Sequence, residues 1–127
     1  DYDQFCGVPR PTTLDAPVEV AWARVDVATF KRRWDEGWRP FVLDVRQPHE
    51  AAIVSLPMVD QLQPHDDLAA IVDTLPRDRD IVVACKSGVR SAKAAKWLTE
   101  RGFKRVTDLE GGVVAWAEQI DPSLPRY

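Results

Sequence analysis

Residues 80–91 read Asp80-Ile81-Val82-Val83-Ala84-Cys85-Lys86-Ser87-Gly88-Val89-Arg90-Ser91. The first half is an apolar run, mostly β-branched, that stops at a cysteine. It offers no polar face to solvent, so it suits a strand over 80–84 that is covered on both sides, as in a parallel sheet. Lys86 to Arg90 then break the run around a glycine. Helical spacing follows over 91–101: Ala94, Ala95 and Leu98 share one side, while Lys93, Lys96 and Glu100 share the other. A strand, a tight turn and a helix in direct succession predict an α/β domain.

The flanking sequence repeats the alternation. Upstream, Phe41-Val42-Leu43-Asp44-Val45 is a second apolar run, broken only by Asp44. Residues 20–25 can form a short strand. Asp26 is then a suitable N-cap for a helix over 27–36, on which Val27, Phe30 and Trp34 share a face. Pro48 can open a short helix that includes Glu50 to Ile53. Residues 54–65 carry Pro57 and Pro64 and read as a loop with a short strand near Val59. Leu68, Ile71, Val72 and Leu75 predict a helix over 66–75, capped by Asp66 or Asp67. Downstream, residues 105–109 predict a last strand. Gly111-Gly112 then lead into a helix with Val113, Trp116, Ala117 and Ile120 on one stripe. Strands alternating with helices imply a parallel sheet with helices on both faces. Ligands of such sheets bind beyond the carboxyl ends of the strands, where Cys85 stands.

Length and composition bound the function. The 127 residues suit one domain, with 45% hydrophobic and 29% charged residues. Residues 1–19 hold three of the ten prolines and no apolar period, so they read as a linker or tail before a domain over 20–127. A net charge of −3 argues against a nucleic-acid binder. No apolar run approaches the ~20 residues of a membrane helix, and the chain does not open like a signal peptide. Cys6 and Cys85 cannot build a disulfide framework, which points to a reduced, cytoplasmic setting. His49 and His65 lie far apart without metal-ligand spacing, so no metal is expected.

Cys85 carries the chemistry. A cysteine after an apolar strand is commonly a small buried hydrophobe, and basic residues on a helix are commonly a solvated face. The loop changes the balance. If residues 86–91 curl around the sulfur, their backbone N–H groups and the positive end of the next helix favour an anion there. The thiolate is the reactive form of cysteine. Ser87 offers a hydroxyl, and Gly88 lets the loop turn. Between residues 86 and 105 lie seven cations and one anion, Glu100, a local +6 expected to favour a thiolate and to draw in anions.

Three motifs, in this order, resemble the rhodanese (sulfurtransferase) family over about residues 24–120: Phe41 to Arg46 with Pro48-His49-Glu50, Ile81 to Ser91, and Asp108-Leu109-Glu110-Gly111-Gly112 with Trp116. The opening Asp1-Tyr2-Asp3-Gln4-Phe5-Cys6-Gly7 resembles the end of the adenylyltransferase domain in adenylyltransferase/sulfurtransferases of the MoeB/MoeZ type. The resemblance implies a rhodanese-like central parallel sheet with helices on both faces, and Cys85 as a persulfide nucleophile. Lys86, Ser87, Gly88, Val89 and Arg90 would form the active-site loop. Lys86 and Arg90 would select the donor or position the acceptor. Asp44 and Arg46 would organise the loops by ion pairing, with Ser91 in support. It further implies thiosulfate or a desulfurase persulfide as donor, a ubiquitin-like sulfur carrier protein as acceptor, a preceding adenylyltransferase domain, and a role in molybdopterin, thiolated-tRNA or cysteine synthesis. No cofactor is implied for this domain. Residues 51–59 lack the family's Gly-His-Ile and Pro-Gly-Ala, with Pro57 the one echo, so contacts from that segment do not transfer.

Two rival readings remain. Dual-specificity phosphatases on the same fold place arginine six positions after the cysteine, around a tetrahedral phosphate, whereas Arg90 is five positions after Cys85. A non-catalytic rhodanese-like interaction module usually lacks the loop cysteine, which this chain has.

Overall fold

The computed structural model describes residues 22–125. The tail over 1–19, Cys6 and the first residues assigned to the opening strand lie outside them. Five strands form one parallel sheet: β1 (Ala23–Asp26), β2 (Phe41–Asp44), β3 (Gln61–Leu62), β4 (Ile81–Ala84) and β5 (Val106–Glu110). Their order is β1-β5-β4-β2-β3. Val42 pairs with Val82 on one side of the centre, and Val82 with Thr107 on the other. Four helices accompany them: α1 (Val27–Asp35), α2 (Pro48–Ile53), α3 (Val89–Glu100) and α4 (Gly112–Gln119).

The alternation of the strands sorts the core into two layers. Val42, Val82, Ala84 and Leu109 face α1 and α4, together with Phe30, Val113 and Trp116. Leu43, Ile81, Val83 and Cys85 face α3, together with Ala94, Ala95 and Leu98. Both faces of β2 and β4 are therefore covered, which explains their unbroken apolar runs. Asp26 caps α1 as expected, its Oδ1 accepting from the Thr29 N–H at 2.7 Å. Phe30 packs against Trp34, Trp38 and Trp116 with ring centroids 5.6 to 6.0 Å apart.

Two elements depart from the sequence pattern. The expected helix over 66–75 is instead a pair of 3₁₀ segments, His65–Ala70 and Val72–Thr74. Asp67 (φ −133°) and Ile71 (φ −122°) leave helical geometry. The Gln63 amide donates to the Asp67 carbonyl at 2.9 Å, competing for an acceptor that a continuous ladder would use. Leu68 and Leu75 still reach the core from separate turns. The short strand expected near Val59 forms two residues later, as β3. Asp60 occupies the edge before it, its Oδ2 accepting from the Val42 N–H at 2.8 Å and its own N–H donating to the Val42 carbonyl at 2.9 Å.

Candidate active site

The chain leaves β2 toward β3 on one side and leaves β4 toward β5 on the other. The two connections diverge at the carboxyl ends of β2 and β4, the place where an open parallel sheet forms a crevice. Val45-Arg46 stands on one lip of it and Cys85 to Gly88 on the other.

Cys85 follows β4, and the two-residue period turns its side chain toward α3. The residue has no exposed surface. Its sulfur accepts the Gly88 N–H at 3.0 Å. Gly88 stands immediately before α3 with φ +105°, a left-handed conformation that brings this amide back over the sulfur. Backbone hydrogen bonds fix the loop from the far side. Val113 N–H donates to the Cys85 carbonyl and Val114 N–H to the Lys86 carbonyl, both at 2.9 Å. Gly112 makes this approach possible: a Cβ there would lie 2.2 Å from the Cys85 carbonyl oxygen.

Charged side chains from α2, β1, β2 and β5 brace the loop and the helix that follows it. Arg90 donates from Nη1 to Glu50 Oε1 at 2.5 Å and from Nη2 to Oε2 at 2.7 Å, a bidentate pair joining α3 to α2. Asp44 and Arg46 form a buried pair at 2.7 Å. Arg46 also donates to the Val54 carbonyl at 2.8 Å, tying β2 to the segment after α2. Ser91 Oγ lies 3.5 Å from the sulfur and donates in a short bond to Asp108 Oδ1. Asp108 Oδ2 accepts from Arg24 Nε at 2.9 Å and Nη2 at 2.6 Å. Burial pushes the Asp108 carboxyl above its ordinary value. The bonds from Ser91 and Arg24 and the Arg24 charge oppose that rise, while Glu110 adds to it.

Several sequence expectations shift in position. The hydroxyl beside the sulfur belongs to Ser91; Ser87 is exposed. Lys86 is half-buried and Val89 is 62% exposed. The local +6 does not converge on Cys85. α3 runs about 18 Å away from the loop, so Arg101, Lys104 and Arg105 belong to the opposite end of the strands, where Arg105 directly precedes β5. Arg105 pairs there with Asp80 at 2.9 Å, and Arg101 stacks on Trp97. Glu50, Arg24 and Asp108 were not singled out as site residues from the sequence. The signal for Asp108 was its place in the Asp108-Leu109-Glu110-Gly111-Gly112 motif. Among the described residues, no group of three or more His, Cys, Asp or Glu could hold a metal ion, and no helix is long and apolar enough to cross a membrane.

Residues 26–119 match the rhodanese-like domain family. The chain belongs to this family. Its sequence is 37% identical over 130 residues to the probable adenylyltransferase/sulfurtransferase MoeZ of Mycobacterium tuberculosis, covering all of this chain and 32% of that protein. The chain thus spans about a third of the length of that curated relative. It is 36% identical over 94 residues to a sulfurtransferase of Allochromatium vinosum, covering 73% of this chain and 86% of the relative. Among solved structures, a rhodanese-like domain protein from Staphylococcus aureus superposes with a TM-score of 0.70 at 26% identity, covering 83% of this chain and 98% of the other. A rhodanese-related protein from Thermoplasma volcanium gives 0.69 at 29% identity, over 82% and 96% of the two chains. These relatives support sulfur transfer as the activity of this rhodanese-like domain.

Proposed function

We propose that the domain carries sulfane sulfur as a persulfide on Cys85 and passes it to an acceptor. The observation that carries this reading is the sulfur's setting: at the carboxyl end of β4, in a four-residue turn, with the Gly88 N–H directed at it at 3.0 Å. In the loading step the Cys85 thiolate attacks the outer sulfur of thiosulfate. The new S–S bond forms as the S–SO₃ bond breaks, and sulfite leaves with the electron pair. Toward an acyl-adenylate acceptor the outer persulfide sulfur is the nucleophile: it attacks the acyl carbon as AMP leaves, which gives an acyl disulfide with Cys85. A reducing thiol then attacks the Cys85 sulfur, the S–S bond breaks with its electron pair on the thiocarboxylate, and a second thiol frees Cys85 as thiolate while the two thiols leave as a disulfide. A desulfurase persulfide can replace thiosulfate in the first step. The relatives with a fused adenylyltransferase support a preceding domain of that kind and an acceptor that is the adenylated C-terminus of a ubiquitin-like sulfur carrier. Lys86, Ser87 and Gly88 form the turn at the sulfur, Val89 and Arg90 open α3 directly after it, and Asp44 and Arg46 order the end of the neighbouring strand β2. The commitment of the Arg90 fork to Glu50 weighs against the phosphatase reading, which needs that fork for a phosphate.

Intact-mass spectrometry after incubation with thiosulfate, and separately with a cysteine-desulfurase donor, tests the proposal. The expected result is a gain of one sulfur atom that dithiothreitol removes, that Cys85→Ala abolishes and that Cys6→Ala leaves in place. No gain from either donor, or a gain that persists in Cys85→Ala, would overturn it.

A further inference from the structure

The sulfur-transfer cycle described above leaves one buried carboxylate without a task. Asp108 is fully buried on β5, which pairs with β1 on one side and β4 on the other. Placing a carboxylate there costs several kcal/mol unless its oxygens are satisfied. They are satisfied asymmetrically. Oδ2 faces Arg24 on β1, a half-exposed cation, while Oδ1 turns inward to the Ser91 hydroxyl on α3. That hydroxyl oxygen in turn accepts from the Cys85 thiol at 3.5 Å. A continuous hydrogen-bonded path therefore runs from sulfur to carboxylate.

We propose that Ser91 and Asp108 form a proton relay for the Cys85 thiol. This rests on Cys85 being the reactive group and deepens that reading. The thiol proton passes to Ser91 Oγ as the Ser91 hydroxyl proton passes to Asp108 Oδ1. The S–H electron pair stays on sulfur. The products are a Cys85 thiolate, an intact Ser91 hydroxyl and a neutral Asp108 acid, with no proton exchanged with water. Once the outer sulfur has been passed on, the freed Cys85 thiolate recovers its proton by the reverse path. Ser91 touches the reacting sulfur; Asp108 acts through it, as a positioning residue and proton store. The groups facing Asp108 are Arg24 from β1, Ser91 from α3 and, through Ser91, Cys85 from the end of β4. Glu110, on its own strand, acts with burial to raise its proton affinity. A buried thiol next to a second buried acid can deprotonate locally, without waiting for solvent to reach the loop.

The relay has a signature that a purely structural Asp108 lacks. Thiol with carboxylate, and thiolate with carboxylic acid, hold the same number of protons, so their ratio does not depend on pH. The test is the rate of Cys85 alkylation by iodoacetamide against pH on the whole chain, resolved from Cys6 by peptide mass. In the unsubstituted protein the rate should level off on the acid side of the thiol titration, until Asp108 itself protonates. In Asp108→Asn and in Ser91→Ala it should keep falling by roughly tenfold per pH unit. A rate that never levels off in the unsubstituted protein, or one that levels off equally in both variants, overturns the relay. The unsubstituted profile decides even if a variant fails to fold. Persulfide loading of the same samples separates the two readings. A protein that loads sulfur without levelling off loses the relay alone. One that levels off but never loads loses the sulfur-transfer reading alone.

Discussion

Asp44 and Arg46 have side chains 1% and 0% exposed, two residues apart at the end of β2. Arg46 donates from its backbone N–H and from Nε to Asp44 Oδ1, both at 3.0 Å, and from Nη2 to Oδ2 at 2.7 Å. Taking both charges out of water is costly, and only a dense set of hydrogen bonds offsets it. Removing one partner leaves the other buried and uncompensated. Asp44→Ala should therefore lower the unfolding free energy by about 3–5 kcal/mol in a denaturant titration. Arg46→Lys should recover little, because an ammonium cannot reproduce the planar fork that spans Asp44 and Val54. The sequence exposes this pair in part: an acid inside an apolar run and an arginine just past it suggest a local ion pair. Nothing in it shows that Arg46 also reaches the Val54 carbonyl, because that contact depends on where α2 ends.

At the scale of elements, the amino end of α4 meets the Cys85 loop backbone to backbone, Val113 and Val114 donating to the Cys85 and Lys86 carbonyls. Gly112 has φ +56°, and a Cβ would meet the carbonyl oxygens of Cys85 at 2.2 Å and Lys86 at 2.7 Å. Gly112→Ala must push α4 and the loop apart and strain its own backbone. The expected cost is about 2–5 kcal/mol from overpacking and left-handed strain, read by chemical unfolding, with slower persulfide loading measured alongside. Lys96→Ala, on the outer face of α3, serves as the comparison and should stay within about 0.5 kcal/mol. The helices that the pattern placed well, α1 and α3, carry a cap or a continuous apolar stripe. The segment over 66–75 carried the stripe too, but three aspartates and the Gln63 contact divide it into short turns.

Across the whole molecule, two aspartates pull the pH dependence in opposite directions. Partial burial pushes the Asp80 carboxyl up. Hydrogen bonds from Trp38 Nε1 and Arg105 Nε, with the charges of Arg105 and Arg33, outweigh this and hold it below its ordinary value. The stability it contributes is present above the ordinary carboxylate value and is lost as pH falls through the lower folded value. Asp108 is raised by burial, so its contribution is complete below the ordinary value and is lost as pH rises through the higher folded value. Urea unfolding between about pH 2 and 7 should separate them, Asp80 below the ordinary carboxylate value and Asp108 above it. As pH falls, the unsubstituted chain should lose its advantage over Asp80→Asn and gain relative to Asp108→Asn. An Asp108→Asn difference that moves the other way would show that its carboxyl is not raised.

The alternation of apolar strands and amphipathic helices was enough to specify a parallel α/β sheet, and the Cys85 loop was enough to mark the site proposed for its chemistry. Both are local signals: period, turn composition and the order of motifs along the chain. The partners of the site are not local. Glu50 meets Arg90 across 40 positions, and Arg24 meets Asp108 across 84. A linear count of positive charge fails for the same reason, since α3 places three of the seven cations, Arg101, Lys104 and Arg105, at the far end of the strands. Strand order and the close approach of α4 bring these groups together, because hydrogen bonds and buried charges act over a few ångströms of space, whatever the distance along the chain.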